Sequence, residues 1–220
     1  MTIILLILTL LAVPAYADEG LYGYGAIGQS RFSQTTPDGA WHQDAIGVTD
    51  TEQSLAWQAG LGYGWSNWAV EAGYIDIGRV SSGGLAVGDA DYYPEKHDYN
   101  HQAHVVRFNA TDSLQAGAVK VKYNFDGMLG FRPFLEAGIW VGGHAVSLWT
   151  DHGKGNVTHS TFSGMLAGPV VGGGLCYDVL GMASVCGQVE YYKSMTQSGF
   201  PISTEVVMPS AVLKVPLVWH

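Results

Sequence analysis

The feature that most constrains this chain is a rhythm. Segments in which apolar or aromatic residues alternate with small or polar ones are joined by connections that are by turns short and long. Side chains at successive positions of an extended strand point to opposite faces, so each alternating segment reads as a β-strand. The clearest segments are residues 20–32, 54–65, 67–78, about 112–125, 131–148, 164–179, 183–194 and 205–219, which makes eight. The connections "WSNW", "FDGMLGF" and "DVLGMA" are tight. Those at "SQTTPDGAWHQDAIGVTDTEQ", from Arg79 to Thr111, at "TDHGKGNVTHSTFSG" and at "TQSGFPIST" are long and polar. With long and short alternating, an up-and-down antiparallel sheet puts all long loops at one end and both termini at the other. Runs of about ten residues also match the ~9–11 that cross a bilayer at a tilt.

Charge placement decides what lies against each face. In "NWAVEAGY", Trp68, Val70, Ala72 and Tyr74 oppose Glu71 and Gly73. In "AVKVKYNF", Val119, Val121, Tyr123 and Phe125 oppose Lys120, Lys122 and Asn124; in "GQVEYY", Val189 and Tyr191 oppose Gln188 and Glu190. One face thus carries one or two ionisable groups per strand among Gly and Ala. That is too sparse for a surface in bulk water and suits the crowded interior of a narrow barrel. The other face is nearly uncharged with Trp and Tyr near strand ends, as a lipid-facing surface requires. The expected fold is therefore all-β: an eight-stranded antiparallel up-and-down transmembrane β-barrel.

The same parity assembles an inward set of Glu71, Lys120, Lys122, Glu136, Glu190 and Lys214. Away from bulk water an unpaired charge is costly, so these six are expected to pair across strands as a lumen ion network. Its two readings are a structural plug, favoured because eight strands are filled by their own side chains, and a salt-bridge gate over a small pore. Cys176 and Cys186 also fall inward, symmetric about a turn centred at Gly181. They admit either a cross-strand disulfide or two free thiols.

The first residues, "MTIILLILTLLAVPAYADEG", form an apolar run ending in the small-x-small pattern Ala15, Tyr16, Ala17. This reads as a secretory signal peptide, residues 1–17, leaving 18–220 as a single barrel domain. The formal charge of −9 without a basic patch argues against nucleic acid. "GYGAIG", residues 23–28, spells GxGxxG, but "QSRFSQTTPDGAW" follows it and carries no apolar helical stripe. Without a helix to face an anion the motif is a close-packed strand, and no cofactor is expected. His97, His101 and His104 near Asp98 in a long loop read as solvated side chains, and no metal site is assigned.

At "WSNWAVEAGYIDIGR", "GFRPFLEAGIWVG" and "GGGLCYDVLGMASVCGQVEYY" the chain resembles the eight-stranded outer-membrane barrels of the outer-membrane protein A transmembrane domain and its opacity-type and protein X-like relatives. With the "LYGYGAIGQSRF" opening, these stretches span nearly the whole chain after the signal. The resemblance implies a bacterial outer membrane, short periplasmic turns, extracellular loops and an inward charge network. It implies as partners outer-membrane lipid, lipopolysaccharide and the barrel-assembly machinery. Two departures stand out: the sequence closes on "KVPLVWH" with Trp219 penultimate where members close on an aromatic residue, and no appended peptidoglycan-binding domain is expected.

The long loops carry Trp41, Tyr92, Tyr93 and Tyr99 among acids and histidines, a mix suited to adhesion or contact with a host or environmental surface ligand. Some relatives modify lipid A, which needs a hydroxyl activated by a histidine at the outer rim. His159 and Ser160 are adjacent here, so their side chains point to opposite faces, and the chain is not expected to be an enzyme.

Overall fold

The computed structural model describes residues 20–35, 45–46, 51–88, 92–93, 98–99, 104–151, 157–179, 182–195 and 203–217. The expected signal segment, Trp41, His97 and His101 lie outside the described residues.

Eight long strands carry the fold: β1 (Gly20–Thr35), β2 (Thr51–Trp65), β3 (Trp68–Gly88), β4 (His104–Asn124), β5 (Phe131–Asp151), β6 (Val157–Val179), β7 (Ala183–Lys193) and β8 (Ser203–Pro216). Two-residue pieces occur at Ala45–Ile46, which pairs with β3, and at Tyr92–Tyr93 against Asp98–Tyr99. Each long strand pairs antiparallel with its chain neighbours, and β1 pairs with β8, for example Tyr24 opposite Lys214. The sheet therefore closes on itself into an eight-stranded up-and-down barrel with no open edge along the paired length.

The alternation works as expected. On β1 the even positions Tyr22, Tyr24, Ala26, Ser30 and Phe32 are buried, whereas Leu21, Ile27 and Arg31 are exposed. Both tyrosines, whose face is ambiguous in a glycine-rich strand, thus point inward. Between the tight turns and a line through Gln29, Gln53, Asp76, Gln115 and Ser163, outward positions carry no charged side chain. Along β2 this uncharged run, Leu55–Trp65, rises ~33 Å. At a strand tilt of ~40° that makes a band of about 25 Å, the height of a transmembrane barrel's apolar belt. Aromatic pairs mark the turn end of the band: Trp68 with Tyr123 at 4.8 Å between ring centroids, and Phe131 with Tyr177 at 4.9 Å. Trp57 and Tyr74, 5.4 Å apart, mark its loop end.

The expected slip in alternation near Ile75 and Asp76 is a β-bulge. The β3–β4 register shifts between Asp76 and Arg79, Gly78 takes φ 85°, and its N–H donates to Asp76 Oδ1 at 2.9 Å. Only glycine enters that backbone region freely. Pro209 leaves another gap, because it has no N–H to donate and the β1–β8 ladder is unpaired between Gly28–Ser210 and Arg31–Val207.

Strand lengths differ from the expectation on one side. β3 to β6 run 21, 21, 21 and 23 residues, against 16, 15, 11 and 14 for β1, β2, β7 and β8. Residues 79–88, 104–111 and 157–163, which read as loop, are strand. Beyond the uncharged band the outward positions become hydroxyls, among them Ser81, Thr111, Ser147 and Thr161. A sheet wetted on its outer face has no apolar alternation there to betray it. Among the described residues the sheet is consequently low on the side of β1, β2, β7 and β8 and tall on the side of β3 to β6.

Candidate functional site

The lumen is filled in layers. Toward the loops lies an apolar layer that includes Ile77, Leu114, Trp140, Leu166, Tyr192 and Met208. Above it Asp112 and His144 meet at 2.6 Å. Toward the turns, Cys176 and Cys186 face each other in the β6–β7 ladder and are joined by a disulfide. Beside them Arg132 Nη2 and Ser184 Oγ both donate to Asp178 Oδ1, at 2.7 and 2.6 Å.

Between these layers the structure brings together all six inward charges picked out by parity. Glu71 comes from β3, Lys120 and Lys122 from β4, Glu136 from β5, Glu190 from β7 and Lys214 from β8. All are buried, none more than 4% exposed. Three ammonium groups thus face three carboxylates, so the set is neutral.

Two carboxylates act as hubs. Glu71 Oε1 accepts hydrogen bonds from Lys214 Nζ at 2.8 Å, Lys122 Nζ at 3.2 Å and the Tyr22 hydroxyl at 2.8 Å. Glu190 accepts from Lys120 Nζ at 2.6 Å and from Gln58 Nε2 at 2.8 Å. Glu136 is held more loosely, 3.6 Å from both Lys120 and Lys122. The aliphatic and aromatic surroundings complete the solvation: Lys122 Nζ sits 3.8 Å from the Phe134 ring centroid and Lys214 Nζ 5.0 Å from that of Tyr22.

Glycine makes the space. A Cβ at Gly172 would come within 2.9 Å of Glu136 Oε1 and 3.1 Å of Glu190 Cγ, and one at Gly62 would run into the Tyr22 ring. Tyr22, Gln58 and Phe134 escape a search for charges alone. Their signal was positional, since each shares the inward parity of its strand.

At the rim, His159 Nε2 lies 2.9 Å from Ser147 Oγ on the neighbouring strand and does not serve Ser160. The order of adjacent side chains on a strand dictates this, with Trp149 opposite His159 and Ser147 opposite Thr161.

No family model matches the sequence, and no curated protein matches it either. Solved structures do resemble it. Neisserial surface protein A aligns over 90% of this chain and 97% of its own with a TM-score of 0.54 at 13% identity. The outer membrane protein OprG from Pseudomonas aeruginosa aligns over 90% and 96% with a TM-score of 0.46 at 13% identity. Ail, the attachment invasion locus protein of Yersinia pestis, aligns over 89% and 99% with a TM-score of 0.44 at 12% identity. At such identities the likeness to Neisserial surface protein A speaks for the fold alone. The chain has the fold of an eight-stranded outer-membrane β-barrel.

Proposed function

We propose that this protein is an integral barrel of a bacterial outer membrane, delivered by cleavage after Ala17, with a sealed lumen and a loop-bearing wall for surface contact. The uncharged outward band around a closed barrel carries the membrane part of this reading, because water would leave about 25 Å of exposed Trp, Leu and Val unsatisfied. The tall β3–β6 wall favours surface contact over a purely structural role, since it lifts hydroxyl-bearing sheet clear of the membrane. Chemistry has weaker support, because the rim histidine bonds a serine but no third group among the described residues is placed to orient it.

Cell fractionation combined with heat-modifiable gel migration tests the membrane reading. A barrel of this kind partitions with outer membranes and migrates differently before and after boiling in SDS. A chain that stays monomeric and dissolved in plain buffer overturns it. Deleting residues 84–100 tests the loops, with loss of adhesion to host cells or surface ligand as the expected result and unchanged adhesion as the contrary one.

The loosely held Glu136 favours a second reading, a gate in which Lys120 and Lys122 exchange partners. Against it stands the apolar layer above the charges, which would also have to move. Planar bilayers separate the two readings. A plug stays silent in the wild type and in Glu136→Gln, whereas a gate conducts and changes conductance on that substitution.

A further inference from the structure

The Cys176–Cys186 bridge lies where nothing outside the finished barrel can touch it. Each cysteine is 1% exposed. On the turn side the next inward pair of the same ladder is Asp178 opposite Ser184, and Arg132 and Ser184 both donate to Asp178 Oδ1, which closes that end. Sideways, Arg132 stands opposite Cys176 on β5 and Val212 opposite Cys186 on β8. Toward the loops comes Phe134, whose Cζ would lie 2.8 Å from a Cβ at Gly174, and beyond it the ion cluster. Lipid covers the outer face of these strands under the membrane reading, on which the present inference rests. Thiol–disulfide exchange requires a thiolate to reach the sulfur it attacks, and the closed barrel offers no such approach.

The bridge also sits beside the part of the sheet whose register is least marked. On β6 the run Gly172, Gly173, Gly174 lies opposite Glu190, Val189 and Gln188. Pairing register is weakly specified in glycine-rich strands, and a slip of one residue turns every side chain of the slipped strand to the other face. With β6 in place, such a slip of β7 would send Glu190 from the ion cluster into lipid. A slip of two would keep the faces and part the sulfurs beyond the reach of a disulfide. The bond therefore forms only in the register that holds Glu190 inside.

We infer that Cys176 and Cys186 are oxidised on the unassembled chain, before β1 and β8 close the sheet, by the disulfide of a periplasmic protein dithiol oxidant, and that the bridge sets the β6–β7 register for assembly. One cysteine loses its proton, and its thiolate attacks a sulfur of the oxidant's disulfide. A mixed disulfide forms, and the oxidant's other sulfur is released as a thiolate. The second cysteine, deprotonated in turn, attacks the chain sulfur of the mixed disulfide and expels the remaining oxidant sulfur. The chain has then lost two electrons and two protons, and the oxidant leaves as a dithiol. A hairpin of β6 and β7 suffices for this, since the cysteines stand 10 positions apart across one tight turn.

The test uses the full chain, reduced in urea and kept free of air. An oxidised dithiol protein is added either before transfer into lipid vesicles or after it, and free thiols are counted by maleimide labelling of the boiled chain. Before transfer the bridge should form readily. After transfer it should form about a hundred-fold more slowly, because the sulfurs then react only through rare openings. Equal rates overturn the order of events, as does an unassembled chain that the oxidant leaves reduced. Assembly kinetics, followed by heat-modifiable migration, test the register. The bridged chain should assemble several-fold faster than the reduced one, and the double variant Cys176→Ser, Cys186→Ser as slowly as the reduced one. Equal assembly rates overturn the register role. A chain that never becomes heat-modifiable overturns the membrane reading itself, whereas an assembled chain oxidised at the unassembled rate overturns this inference alone.

Discussion

Lys120 Nζ and Glu190 Oε1 stand 70 positions apart in the chain and meet at 2.6 Å across the lumen. Their strands, β4 and β7, are not neighbours, so the pair ties opposite walls of the barrel. Glu190→Gln should destabilise the fold by about 3 kcal/mol, because it leaves a buried ammonium with only the longer contacts to Glu71 and Glu136. Adding Lys120→Met removes that orphaned charge, so the double variant should be more stable than Glu190→Gln alone. Urea unfolding in lipid vesicles checks both, and additive losses would show that the two groups are not coupled.

Glu71 depends on a neutral donor as well as on lysines. Tyr22→Phe removes the 2.8 Å hydrogen bond to its carboxylate while keeping the ring under Lys214. The expected loss is about 2 kcal/mol, the range for a hydrogen bond to a charged group, read from the shift of the urea midpoint.

Gly62 and Gly25 lie on adjacent strands and should answer alanine oppositely. At Gly62 the methyl runs into the Tyr22 ring and should cost about 1–3 kcal/mol by overpacking. At Gly25 the nearest atom to a new Cβ is 4.0 Å away, so alanine should be neutral or stabilise by up to about 1 kcal/mol. Comparing the two midpoints in one lipid system tests whether inward parity sets the response.

Cys176 and Cys186 close a loop of sequence separation 10. Loop-closure entropy puts the bridge at about 2–3 kcal/mol, and the tight turn between β6 and β7 already restrains the same residues. Replacing both cysteines with serine should therefore lower stability by no more than that and leave heat-modifiable migration intact. The same unfolding assay, run with and without reductant on the wild type, gives the comparison.

Parity alone was enough to gather Glu71, Lys120, Lys122, Glu136, Glu190 and Lys214 inside, because lipid outside and a crowded lumen inside impose opposite chemistry on alternate residues. Who meets whom was not legible. Lys120 reaches Glu190 through barrel curvature and register, which are properties of eight strands together and not of any one segment. Tyr22 and Tyr24 were ambiguous for a local reason: glycine and alanine fill both faces of β1, so neither face is marked. Above the membrane the signal vanished altogether. Residues 157–163 form strand, yet Thr158, His159, Ser160 and Thr161 show no apolar side, since water lies where lipid would have demanded one.

The uneven rim gives the molecule a front and a back in the plane of the membrane. Among the described residues the sheet ends low at β7 and β8, and the concave side of the wall, where Val146 and Leu148 are half-buried, faces that side. From the opposite quarter something drifting along the bilayer meets a convex screen of hydroxyls. Orientation relative to neighbours, and not only height above them, thus governs which surface another molecule encounters.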